Sequence, residues 1–276
     1  MHRLEHTFSY RGANLHYSCI GTGNKILLAF HGYGQSNLHY RHMAEQLSGH
    51  YTIYAFDLFF HGKSTWHLKD HPLTKEFLGK LMQALLQEKQ IDRFSVMGFS
   101  MGGKWVLALL EQFPQQIDEL ILIAPDGVKT SFWYSLATYP NWTKKHFRKV
   151  AISSTYFQNL AHTFRKLNLV DKGIVRFAQH QMNTRQKRLR VYYSWMVFRE
   201  LTFNMTHIAS LINTYQIPVT MFLGIYDRII TKKNMGLLLS KLSKHRLILL
   251  ETGHNQLLEE VAAYYANYGI SQKAEK

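Results

Sequence analysis

The chain of 276 residues has a single cysteine, Cys19. That excludes an internal disulfide framework and fits a reducing compartment. Cys19 lies in an alternating apolar and polar stretch, which predicts a buried structural thiol. Long apolar runs are missing as well. None approaches the roughly 18 residues that a membrane-spanning helix needs. The first residues, Met1-His2-Arg3-Leu4-Glu5, open no apolar signal core. The expectation is a soluble, cytoplasmic protein with no transmembrane segment. No internal repeat and no low-complexity tract is present. His31, His39, His42, His61, His67 and His71 cluster in sequence, yet no carboxylate or thiol stands at metal-ligand spacing from them. No metal is expected.

Acidic residues are also scarce, 18 against 33 Lys and Arg, for a formal net charge of +15. The shortage is local. Residues 1–125 hold 11 basic and 10 acidic side chains, residues 126–217 hold 14 and 3, and residues 218–276 hold 8 and 5. The middle segment therefore carries most of the excess, which points to a partner or substrate for that segment. Apolar residues make up 46% of the chain, enough for a sizeable core and against disorder.

What is present is organised around Val96-Met97-Gly98-Phe99-Ser100-Met101-Gly102-Gly103. This stretch reads Gly-x-Ser-x-Gly, with a short apolar strand before it and a helical run from Lys104 to Gln112 after it. A serine on a sharp strand-to-helix turn is pushed clear of the sheet, and positive φ is expected there. Bulky side chains two residues to either side would clash, which explains Gly98 and Gly102. The turn also aims the first free N–H groups of the helix at whatever Ser100 attacks.

The rest of the chain supplies a setting. Residues 3–10 and 13–20 alternate around Arg11-Gly12 as an antiparallel hairpin. Lys25 to Phe30, Tyr51 to Phe56, Ile117 to Ala124, Ile217 to Gly224 and Arg246 to Glu251 read as strands, with helical runs between most of them. Alternating β and α elements predict a mostly parallel sheet with helices on both faces. From Pro125 to about Tyr215 the pattern turns helical, aromatic and basic, with no confident buried strand. Ligands of such sheets sit at the carboxyl ends of the strands. Ser100, His31-Gly32-Tyr33-Gly34, Asp57, Asp227 and His254 all follow predicted strands.

A serine hydroxyl needs a base to become a nucleophile, and histidine is the usual base at neutral pH. His254, in Gly253-His254-Asn255, has the right position. A carboxylate must then hold the imidazole tautomer. Asp227, in Gly224-Ile225-Tyr226-Asp227, is the favoured candidate. Asp126, which follows the strand after the serine turn, is the alternative. It would otherwise cap the first helix of the insertion. Two main-chain donors are needed for an oxyanion, and Met101 and Tyr33 are the candidates.

These motifs together resemble the α/β-hydrolase superfamily with a cap. The resemblance is carried by HGYG at 31–34, DLFFHGKS at 57–64, GFSMGG at 98–103, GIYD at 224–227 and GH at 253–254, in family order. It implies a mostly parallel eight-stranded sheet flanked by helices, with a helical cap inserted after the sixth strand. The core would be residues 1–125 and 218–276, and the cap residues 126–217, lying over Ser100. Three positions depart from the family pattern. Phe60 replaces a glycine, Thr231 replaces a proline, and Lys104 stands where a small residue is common. No catalytic residue type is lost.

The implied activity is a serine hydrolase that cleaves a carboxylic ester or thioester of a small acyl substrate, with no cofactor. Two alternatives stand beside it. The same residues can drive C–C bond hydrolysis or elimination on a carboxylate substrate. The scaffold can also serve a non-catalytic binding protein. The insertion holds aromatics such as Phe132, Trp133, Tyr134, Trp142, Phe147, Tyr156, Phe157, Tyr192, Tyr193 and Trp195, expected on an inner apolar face. Its basic residues include Lys144, Lys145, Arg148, Lys149, Arg165, Lys166, Arg176, Arg185, Lys187, Arg188 and Arg190, expected on an outer face. That face would suit an acidic carrier protein or an anionic lipid surface. No recognised nucleic-acid motif accompanies it, so nucleic acid is not expected.

Overall fold

The computed structural model describes residues 3–68, 71–130, 132–166 and 182–270. Arg176, and the side chains of Phe132, Trp133, Arg165 and Lys166, lie outside the described residues. The chain forms two compact units, one drawn from Met1–Leu68, Thr74–Lys129 and Leu201–Lys276, the other from Lys69–Leu73 and Thr130–Glu200.

The larger unit is built on one sheet. Its strands are β1 (Arg3–Tyr10), β2 (Ala13–Ile20), β3 (Lys25–Phe30), β4 (Tyr51–Phe56), β5 (Thr65–Trp66), β6 (Phe94–Phe99), β7 (Ile117–Ile123), β8 (Val219–Gly224) and β9 (Arg246–Leu250). Eight of them run in the order β1-β2-β4-β3-β6-β7-β8-β9, and β5 pairs with β2 off that path. The hairpin β1–β2 turns on Arg11 and Gly12, both at positive φ (43° and 83°). Such a two-residue turn matches the twist of its strands. From β4 to β9 all pairings are parallel. The sequence pattern missed β5, because two residues carry no period.

Consecutive strands are laid outward from β3 in both directions, β4 on one side and β6 on the other. The chain thus reverses its winding between β3 and β6. A crevice opens at such a reversal, beyond the carboxyl ends of the strands. Both central strands are buried on both faces over most of their length, so they read as mainly apolar runs rather than alternating ones. Phe30 stacks on Phe56 at 5.2 Å and lies 5.4 Å from the indole of the fully buried Trp105. These rings fill the sheet–helix layer under the crevice.

The helices of this unit are α1 (Arg41–Leu47), α2 (Lys75–Glu88) and α3 (Gly102–Gln112) before the insertion. The Thr74 side chain caps α2 by accepting the Phe77 N–H at 3.1 Å. Cys19 is half-buried on β2 rather than sealed in the core. Burial still pushes its thiol pKa up, which keeps it a poor nucleophile.

The second unit is helical: α4 (Phe132–Thr138), α5 (Asn141–Ile152), α6 (Ser154–Lys166) and α7 (Arg185–Phe198). Phe147 on α5 meets Tyr192 and Trp195 on α7, with ring centroids 5.3 and 5.5 Å apart. The Tyr134 hydroxyl donates to Trp195 O at 3.1 Å. Residue character and position do not match one to one. Trp142 is 64% exposed, so it is no part of an inner apolar face. Arg188 is buried, so it is no part of an outer basic one. Its guanidinium donates to Ala151 O and Met182 O, each at 3.3 Å. Ala151 lies in the last turn of α5, where free carbonyls and the helix dipole favour a cation. Arg188→Ala should therefore cost about 3 kcal/mol, read as a shift of the denaturant midpoint. A loss no larger than that of an exposed arginine such as Arg148 would refute that assignment.

After the second unit come α8 (Met205–Thr214), α9 (Lys232–Leu239) and α10 (Leu257–Tyr268). Helix α8 falls within 126–217 but clusters with the larger unit, whose chain resumes at Leu201. Among the described residues no helix is long and apolar enough to cross a membrane.

Candidate active site

Ser100 sits between β6 and α3 at φ +49°, the left-handed region expected from its motif. The glycines around it are explained by what a side chain would strike. A Cβ on Gly98 would lie 2.6 Å from Val106 Cγ2, and one on Gly102 would lie 2.0 Å from Phe30 O. A Cβ on Gly103 would meet Pro125 Cβ at 2.6 Å. These contacts let α3 start directly against the ends of β3 and β7. The turn is also held by its backbone. Ser100 N donates to Ile123 O at 2.9 Å, and Ser100 O accepts from Gly103 N and Asp126 N, both at 2.8 Å.

The structure brings His254 and Asp227 to this serine. His254 Nε2 lies 2.9 Å from Ser100 Oγ, and Nδ1 lies 2.6 Å from Asp227 Oδ2. A carboxylate only accepts, so Nδ1 carries the proton and Nε2 is left to accept from the serine hydroxyl. Asp227 Oδ1 accepts from Ile229 N at 2.7 Å and Ile230 N at 2.9 Å. Both carboxylate oxygens are thus occupied, and the side chain has no exposed surface. Only 11% of the His254 side chain is exposed. The arrangement can take a proton from Ser100 and hold the resulting imidazolium against a fixed carboxylate.

Asp126 is not part of this chain of bonds. Its Oδ1 accepts from Gly127 N at 2.7 Å, and its Oδ2 lies 3.8 Å from Lys104 Nζ. Lys104 is buried, so the residue that departs from the family pattern meets a carboxylate beside the serine turn. Asp126→Asn should keep the rate constant for ester turnover within about fivefold, since the local hydrogen bond to Gly127 survives in an amide. A larger loss would place Asp126 closer to the chemistry than its contacts do.

Met101 and Tyr33 lie on the two loops that flank the serine. The first bonds of α3 run from Gly103 N to Ser100 O and from Lys104 N to Met101 O, so the Met101 N–H precedes the helical ladder. The Tyr33 loop is fixed at both ends. Gly32 N donates to Gln35 Oε1 at 3.0 Å, and Gln35 N donates back to Gly32 O at 3.3 Å. His31 bridges this loop to the one after β4. Its Nε2 accepts from Leu58 N at 3.0 Å, which leaves Nδ1 to donate to Gly32 O at 2.7 Å.

Asp57 follows a strand like the others but faces a structural task. Its oxygens accept from Asn37 N (2.7 Å), Asn37 Nδ2 (2.9 Å) and Lys63 N (2.8 Å). Gly62 makes that approach possible, because a Cβ there would fall 1.9 Å from Asp57 Oδ2. Phe60 takes φ +68°, so the residue in the glycine position keeps the glycine-like backbone.

Two contributors were not anticipated from the sequence. Phe99 lays its ring against His254, with centroids 5.2 Å apart. A Cβ on Gly32 would come within 2.9 Å of that ring, so Gly32 makes room for Phe99. Gln35 is the other. The only signal was place: Phe99 is the variable residue before the serine, and Gln35 follows the HGYG stretch. Among the described residues no group of three or more His, Cys, Asp or Glu side chains is arranged to hold a metal ion.

With this geometry in view, the relatives are informative. An uncharacterized protein of Mycobacterium tuberculosis is 33% identical over 126 residues, 45% of this chain and 36% of that protein. This chain thus spans about a third of that relative's length. Lipase 1 of Psychrobacter immobilis is 23% identical over 252 residues, 88% of this chain and 75% of the lipase. The crystal structure of a hydrolase from Pseudomonas aeruginosa superposes with a TM-score of 0.67 at 20% identity, covering 95% of this chain and 96% of that one. The family model described as the alpha/beta hydrolase fold matches residues 25–261. By that match and by its strand order, the chain belongs to the alpha/beta hydrolase family.

Proposed function

We propose that the protein is a serine hydrolase that cleaves a carboxylic ester or thioester through an acyl-enzyme. One observation carries this reading: the bonded chain Ser100 Oγ, His254 Nε2, His254 Nδ1, Asp227 Oδ2, at 2.9 and 2.6 Å. Ser100 Oγ attacks the acyl carbon as His254 takes its proton. The carbonyl oxygen becomes an oxyanion, which the main-chain N–H groups of Met101 and Tyr33 stabilise. His254 returns the proton to the departing alcohol or thiol, and the acyl group stays on Ser100. Water then attacks with the same base, releasing the acid and restoring the serine. Asp227 holds the imidazole in the tautomer that can accept, and it stabilises the imidazolium between the two proton transfers. Phe99 positions the ring from its other side. The lipase relative supports ester chemistry.

The test is labelling of the intact protein with a fluorophosphonate, followed by mass spectrometry of its peptides. The expected result is a single adduct at Ser100, competed by a short-chain ester. Labelling elsewhere, or none while the fold is intact, would overturn the acyl-enzyme reading and favour a binding protein on this scaffold. Cleavage of a β-diketone in a protein silent toward every ester and thioester would instead favour C–C hydrolysis.

A further inference from the structure

Helix α5 has two unlike faces, and one of them is unusual for a soluble helix. The inward face is Thr143, Phe147, Val150 and Ala151, all buried. The outward face is Trp142, Lys145, His146, Lys149 and Ile152, all exposed. At 3.6 residues per turn those five positions fall within an arc of about 120°. Lys149 stands in its middle, between Lys145 and Trp142, which is 64% exposed. Ile152, 46% exposed, and His146 mark its two edges. Helix α6 extends the surface. The Tyr156 ring stacks on His146, its hydroxyl 2.7 Å from His146 Nδ1, and Leu160 is exposed one turn further on.

The charge on this surface has one sign. Between Asp126 and Asp171 the chain has seven Lys and Arg and no acidic residue at all. Helices α1 and α2 mix signs and form internal pairs, Arg41 with Glu45 and Lys80 with Glu76. Helix α5 has no carboxylate with which to do so. A face that served solubility alone would need neither an exposed tryptophan nor a single sign of charge.

We propose that the outward face of α5, continued by Tyr156 and Leu160 of α6, docks on an anionic phospholipid bilayer. Each part of the face suits that occupant. An indole prefers the headgroup level, where one edge is apolar and the other wet. Lysine stems lie along apolar surface while their ammonium groups reach lipid phosphates. Ile152 and Leu160 supply short apolar side chains for the acyl boundary, which a flat and adaptable lipid surface accepts without a shaped pocket. The inference rests on this helical unit's own surface and does not depend on ester chemistry at Ser100.

The experiment is co-sedimentation of the full chain with vesicles of equimolar phosphatidylglycerol and phosphatidylcholine, and with phosphatidylcholine alone. Binding to the anionic vesicles is expected at low salt and should fall steeply as salt rises. The pair Lys145→Ala and Lys149→Ala should weaken binding about 30-fold, since each lysine near an anionic surface contributes about fivefold. Trp142→Phe should abolish a blue shift of emission on binding, and Trp142→Ala should weaken binding several-fold. The control pair Lys232→Ala and Lys233→Ala, also exposed but on α9, should bind as the parent does. Circular dichroism and the denaturant midpoint report that each variant is folded. No vesicle binding at low salt would overturn the proposal. So would equal losses in the two lysine pairs, or a protein that ignores vesicles but captures a soluble acidic protein or RNA.

Discussion

Ser100→Ala should lower the turnover of a short-chain p-nitrophenyl ester by about six orders of magnitude. In the proposed mechanism the hydroxyl is the group that forms the acyl bond. His254 would still rest on Asp227 through Nδ1, so the base survives with nothing to deprotonate. Alanine accepts φ +49° about as well as serine does, and the glycine contacts that shape the turn are untouched. Circular dichroism and the denaturant midpoint should therefore match the parent. The loss should lie in kcat, because the hydroxyl acts in the transition state rather than in binding. A variant that kept a tenth of the parental rate would refute the mechanism outright.

The second large effect belongs to Asp227→Asn, where kcat should fall about ten-thousandfold. The reason is a tautomer rather than a shape. Ile229 N and Ile230 N hold one oxygen of the side chain, so the amide oxygen of an asparagine would stay there. That turns the NH2 group toward His254 Nδ1. The imidazole must then move its proton to Nε2, and it can no longer accept from Ser100. Activity measured across the pair Asp227→Asn and Asp126→Asn separates the two carboxylates. If Asp126→Asn were the more damaging change, the acid would be misassigned.

Much of the fold was legible because buried parallel strands declare themselves. KILLAF, YTIYAF and VTMFLG are short apolar runs that end at loops rich in glycine or charge. The serine turn was legible because its glycines answer to sterics. The choice between Asp227 and Asp126 was legible only as a preference for the Gly-x-x-Asp turn at 224–227, since both carboxylates follow a strand. It depends on which way each loop turns after its strand, and that is set by contacts such as Gly127 N and Lys104. The limits of the helical insertion were hidden for a related reason. Helix α8 is amphipathic like its predecessors, and composition does not say which body its apolar face joins. Arg188 shows the same gap at the level of one side chain. A run of basic residues reads as surface, but a helix end with free carbonyls can take one of them inward.

The backbone angle at Ser100 has an effect on how this protein can be improved. A left-handed conformation costs a serine on the order of 1 kcal/mol that a glycine would not incur. Glycine at position 100 should thus give a sturdier molecule with no reaction to perform. Any collection of variants sorted by heat tolerance alone would enrich that replacement. Breeding this chain for robustness requires a reaction readout at every round, because at this residue the two goals point in opposite directions.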